Sequence, residues 1–168
     1  QSFDSFEEKK AFTDWFFLND FNSDKVRHEL YESILFPVLV EGYCKSDPLS
    51  LKRLAETDQN LYQAELMWSQ IEFKTKRALL REYIELCPED TSTHQALLSA
   101  EIEFFRYCEH EWPAGILYGM DGASEADCKE LLAGITYVRQ LDTEQKYSSY
   151  LSEFETKVES HQQKSRKL

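Results

Sequence analysis

The residues best suited by type to do chemistry lie in one short stretch, His110-Glu111-Trp112-Pro113-Ala114-Gly115-Ile116-Leu117-Tyr118-Gly119. A histidine titrating near neutral pH can serve as general acid or base, and a carboxylate such as Glu109 or Glu111 can tune it. Tyr118 would add a hydroxyl to the same cleft. His110, Glu111 and Tyr118 are therefore the catalytic candidates. Adjacent residues at a helix end point in different directions, so adjacency alone does not make a dyad. The stretch also has a second use. Trp112 and Tyr118 stand among glycines, which let backbone approach another surface closely, and irregular connections in helical proteins often carry function. The plain alternative is that Trp112, Ile116 and Tyr118 plug one end of a bundle while the glycines turn the chain.

Other chemistries have less support. His110-Glu111 is not part of an H-E-x-x-H string, and no Glu-x-x-His pair recurs on two helices as di-metal carboxylate bundles require. His28 with Glu32 offers a single i,i+4 pair. No metal and no cofactor are expected. G-x-x-x-x-G-K-[ST], G-x-G-x-x-G and G-x-S-x-G are all absent, which argues against common nucleotide and hydrolase chemistry.

Charge points the same way. The 168 residues carry 31 acidic against 19 basic side chains, a net charge of −12. Phosphate repels such a chain, so direct nucleic-acid binding and anionic membranes are disfavoured, while a basic protein partner is favoured. The longest apolar run, residues 34–40, falls far short of the roughly 18–20 residues that span a bilayer. No basic segment followed by an apolar one marks a secretory leader. Cys44, Cys87, Cys108 and Cys128 are widely spaced and lie on or beside apolar stripes, which reads as buried free thiols in a reducing cytoplasm.

Aromatic residues are plentiful, at 14% of the chain, and crowd the N-terminus: Phe3, Phe6, Phe12, Trp15, Phe16, Phe17 and Phe21. One helix face cannot bury them all. Phe12, Trp15 and Phe16 share a face, and with Trp112 and Tyr118 they are the candidates for contact with a partner or a second copy of the chain.

Helices must position these residues, because Gly (5) and Pro (4) are scarce and sheet folds need turn formers often. The pattern predicts an all-α fold, an irregular bundle of about seven or eight helices or a stack of helical hairpins, forming one domain over 1–160 with a frayed polar tail at 161–168. Ser5 with Glu8 reads as a capping box opening the first helix, which stops near Asn19-Asp20; Asn22-Ser23 reads as the next cap. A second, most buried helix runs from about Asp24 to Cys44, with a kink or break at Pro37. Asp47-Pro48 starts another. Soft breaks fall near Thr57-Asp58 and at Ser69, where Glu72 repeats the capping-box spacing. Pro88 stops that series and Asp90 or Ser92 caps the stripe Leu97, Leu98, Ile102, Phe105, Cys108. The segment Leu79–Phe105 resembles a single tetratricopeptide hairpin, without that family's Trp-Leu-Gly-Tyr positions or a second copy at a fixed period. After the irregular stretch to Ala123, Ser124 with Asp127 opens a helix through Val138, and a last helix carries Tyr147, Leu151, Phe154 and Val158.

Three functions follow as expectations. The first is a non-enzymatic acidic module that docks a basic protein, as an immunity- or inhibitor-like neutraliser would. The second is an enzyme with its site around His110–Tyr118. The third is a structural homodimer.

Overall fold

The computed structural model describes Phe3 and residues 5–19, 26–62, 64–118 and 122–165. Among the described residues it is all-helical, 77% helix with no strand. The chain divides into two compact units, Gln1–Thr93 and His94–Leu168.

In the first unit, α1 (Phe6–Asn19) opens on the expected capping box. The Ser5 amide donates to Glu8 Oε2 at 3.0 Å and the Glu8 amide to Ser5 Oγ at 3.2 Å. The expected cap at Asn22-Ser23 lies outside the described residues. Next come α2 (His28–Leu30), a π-helical turn (Tyr31–Leu35) and α3 (Phe36–Cys44). Pro37 therefore does not break the helix. A proline at 37 withdraws the donor that the Ser33 carbonyl would meet, and its ring crowds that carbonyl. The chain answers by widening the turn before it, so that the Phe36 amide donates to the Tyr31 carbonyl. Tyr31, Leu35, Phe36, Val38 and Leu39 are buried, as an all-round apolar helix requires. The Tyr31 hydroxyl is hydrogen-bonded to Thr57 Oγ1 at 3.1 Å, and burial holds its phenol well above the usual range.

Helix α4 (Pro48–Glu56) begins as expected, with Asp47 Oδ2 accepting from the Ser50 amide at 3.0 Å and from Ser50 Oγ at 2.6 Å. It packs on α3 and on α7 (Lys76–Leu86). Gly42 makes the first contact possible. A methyl group there would overlap Ser50 Oγ and lie 2.7 Å from Ser50 Cβ. Gly42→Ala is accordingly expected to lower stability by about 1–3 kcal/mol through overpacking; a shift in urea midpoint checks this, and Ser50→Gly in the same chain should recover part of the loss.

The break at Thr57 is present, followed by α5 (Asp58–Leu61). The capping box expected at Ser69 and Glu72 is not. Ser69 ends α6 (Glu65–Ser69), and its hydroxyl donates back to the Leu66 carbonyl at 3.0 Å. Glu72 and Phe73 both take φ of 56°, and the Trp68 indole N–H donates to the Lys74 carbonyl at 2.8 Å. That ring-to-backbone bond closes a turn, and Thr75 then caps α7. Of the two caps foreseen for α8 (Thr91–Glu109), Asp90 takes the role, accepting from the Thr93 amide at 3.1 Å.

The second unit packs the rest of α8 with a 3-10 turn (Trp112–Ala114), α9 (Glu125–Leu141) and α10 (Ser148–Ser165). Ser124 and Asp127 form the expected capping box, which holds the Asp127 carboxyl below the usual range. The core gathers Ile102, Phe105, Cys128, Ile135, Phe154 and Val158 with their neighbours. Fraying from His161 is not observed. Helix α10 continues to Ser165, because the buried His161 ring turns inward and its Nε2 lies 2.9 Å from the Ala123 carbonyl. Residues 166–168 lie outside the described set.

None of the four cysteines forms a disulfide, but only Cys108 and Cys128 are buried; Cys44 is exposed and Cys87 intermediate. The buried-thiol expectation fails at Cys44 because it is the last residue of α3, where the chain turns outward into Lys45-Ser46.

Candidate functional site

The irregular stretch starts where α8 stops. Its last helical residue is Glu109, and the carbonyls of that final turn present the negative end of the helix dipole. The His110 ring folds back, with Nδ1 2.9 Å from the Tyr107 carbonyl and Nε2 2.7 Å from Glu111 Oε1. Both ring nitrogens thus face oxygen acceptors. The His110 side chain is 61% exposed and Glu111 57%, so water surrounds the pair.

Tyr118 is brought near this end of α8, as the third candidate, but by a different route. Its amide donates to the Cys108 carbonyl at 3.0 Å and the neighbouring Leu117 is fully buried. The bond extends the end of α8 by an orphan carbonyl's partner and holds Tyr118 at φ 45°. A residue with a side chain in that left-handed region costs on the order of 1–3 kcal/mol, a cost tolerated where surroundings over-determine it. The outcome is an aromatic corner. The Tyr107 and Tyr118 rings lie 6.1 Å apart at 74°, Phe104 meets Tyr118 at 6.2 Å, and Tyr107 stacks on His110 at 5.7 Å. Tyr107 is 60% exposed and Tyr118 41%.

Sequence reasoning missed Tyr107 and Phe104. Their signal was available: Phe104, Tyr107 and His110 recur at i,i+3, which aligns them on one helix face. Glu103 precedes Tyr107 by one turn on the same face.

Trp112 behaves as a plug. It is half-buried against the second unit's core, and the Lys164 ammonium lies 5.5 Å from its ring centroid. Gly115 follows with φ 80°, the turn position that its lack of a side chain suits. The other partner candidates are divided. Phe16 is buried, Phe12 is half-buried between Phe3 and Phe16, and Trp15 is exposed. Phe16 lies inward because α1 docks that face on α3 and the π turn, while Arg53 ties α1 to α4 through Asp14 at 2.7 Å and through the Phe17 ring at 4.8 Å.

Among the described residues, no three or more His, Cys, Asp or Glu side chains gather to hold one ion, and no helix is long and apolar enough to cross a membrane.

The described residues thus define an all-helical protein whose irregular connection ends in an exposed aromatic corner. Comparison of the chain with protein-family models, curated proteins and solved structures finds no match.

Proposed function

We propose that this is a non-enzymatic binding protein that docks a basic protein partner, an inhibitor- or immunity-like neutraliser being the most concrete version. The observation that carries the reading is the pair of half-exposed tyrosines, Tyr107 and Tyr118, with Glu111 paired to the His110 ring that stacks on Tyr107, on a chain of net charge −12. Aromatic rings with a desolvatable body and a polar tip make effective anchors. An acidic surround steers a basic partner toward them. Buried cysteines outside any disulfide at Cys108 and Cys128 suit a reducing, cytoplasmic setting.

The test is identification of the partner by cross-linking in the source cell, followed by measured affinity at low and at high salt. A basic partner whose association weakens as salt rises is the expected result. A neutral or acidic partner, or affinity that ignores salt, removes the reading.

A second reading, self-association through α1, draws on Trp15 and Leu18, which both stand exposed on that helix. Light scattering on the wild type and on Trp15→Ala separates the two: a dimer that dissociates in the variant favours assembly, and a monomer throughout removes it.

A further inference from the structure

We propose that the aromatic corner of Tyr107 and Tyr118 receives an arginine side chain from the basic partner. This rests on the docking reading above and supplies its address and its chemistry. Three features favour a cation at this place. The rings of Tyr107 and Tyr118 meet at 74° with both partly in solvent, so a flat cation can reach π surface there. Glu111 pairs with His110, whose ring stacks on Tyr107, and Glu103 is one turn before Tyr107 on α8, so two carboxylates belong to this end of the helix. Helix α8 ends at Glu109, and its negative dipole end adds to the attraction.

The chain's own cations are engaged elsewhere on this unit. Arg106 lies over the Tyr150 ring at 5.7 Å, Lys157 pairs with Glu109 at 3.2 Å, and Lys164 lies over Trp112. Among the described residues no lysine or arginine lies over Tyr107 or Tyr118, while the His110 ring stacks on Tyr107. Arginine fits better than lysine. Its guanidinium is planar, stacks on a ring while its N–H groups donate sideways to carboxylates, and is more weakly hydrated than an ammonium.

The probe is a capped glycine-rich peptide with two arginines, compared with its lysine and citrulline versions, each titrated into the full chain and followed by NMR. The arginine peptide is expected to move the Tyr107 and Tyr118 ring resonances, and its own side-chain methylenes should shift upfield under the rings. Tyr107→Ala and Tyr118→Gly should each weaken binding by about tenfold. Both variants are expected to fold, since Tyr107 is on an exposed helix face and glycine suits the backbone of position 118. Citrulline, neutral and of the same shape, should leave the rings unmoved, and lysine should bind more weakly than arginine. Unchanged affinity in both ring variants, or equal binding of lysine and arginine, overturns the assignment. Salt-sensitive binding that persists in that case leaves the acidic-docking reading standing. If neither cationic peptide binds the wild type, both fall.

Discussion

Truncating Phe105 to alanine is expected to cost about 3–5 kcal/mol of folding stability, the range for emptying a buried aromatic site. The side chain is 1% exposed and stacks on Phe154 at 4.9 Å and 28°. Its ring also reaches across to α9, where a Cβ built on Gly134 would lie 3.4 Å from Phe105 Cζ. The ring therefore occupies the space that a larger residue at 134 would claim. This makes the effect separable from general loss of hydrophobicity. Gly134→Val should destabilise the wild type by crowding the ring, yet recover part of the loss in the Phe105→Ala chain by refilling the hole. Urea midpoints and slopes for the two single variants and the double supply the coupling energy. Strictly additive effects would show that the ring and the glycine do not share a space.

Asp90→Ala is the second large effect, expected at about 3 kcal/mol from loss of a helix cap together with charge-assisted hydrogen bonds. One carboxylate ties three helices. Oδ2 accepts from Lys52 Nζ on α4 at 2.7 Å, from the Tyr83 hydroxyl on α7 at 2.9 Å and from Thr93 Oγ1 on α8 at 2.9 Å. Oδ1 accepts from Ser92 Oγ at 2.6 Å and from the Thr93 amide at 3.1 Å. Lys52 also lies over the Tyr83 ring at 5.5 Å, so removing the acid leaves a partly buried ammonium without its counter-charge. Asn keeps the cap and a neutral acceptor, and should lose roughly half as much.

The linkage has a definite sign. The Lys52 ammonium, then the Ser92 and Thr93 donors, hold the Asp90 carboxyl far below the usual carboxylate range. A group depressed in the folded state stabilises above its unfolded pKa, about 4, and loses that contribution as the pH falls further. The stability gap between wild type and Asp90→Asn should therefore be full at neutral pH and narrow progressively in acid. Thermal or urea midpoints across that range would show it, and a gap that is flat with pH would remove the carboxylate from the account.

Features whose partners lie within one helical turn were legible. Ser5 with Glu8, Asp47 with Ser50, and Ser124 with Asp127 all form because each cap and its amide are fixed by the same three residues of backbone. The identical spacing at Ser69 and Glu72 misled, since a bond from Trp68 to Lys74 decides that turn and no pairwise cap rule contains it. His161 looked like tail because its partner, Ala123, is 38 residues away. The irregular connection after α8 was legible from its Pro and Gly residues, but the aromatic corner formed there was not. Whether Tyr118 would meet Tyr107 depended on a backbone bond to Cys108 and on a left-handed φ, neither of which side-chain type announces.

The wide turn before Pro37 has a consequence of its own. In a regular α-helix, residues five apart are rotated by about 140° and cannot touch. Here Tyr31 and Phe36 are five apart with ring centroids 5.8 Å from each other, and both are buried. The extra residue acts as a phase shifter, bringing two side chains of different turns onto one azimuth. Deleting the exposed Ser33 would rewind that dial and swing everything upstream of it, Tyr31 and its link to Thr57 included, around the axis relative to α3.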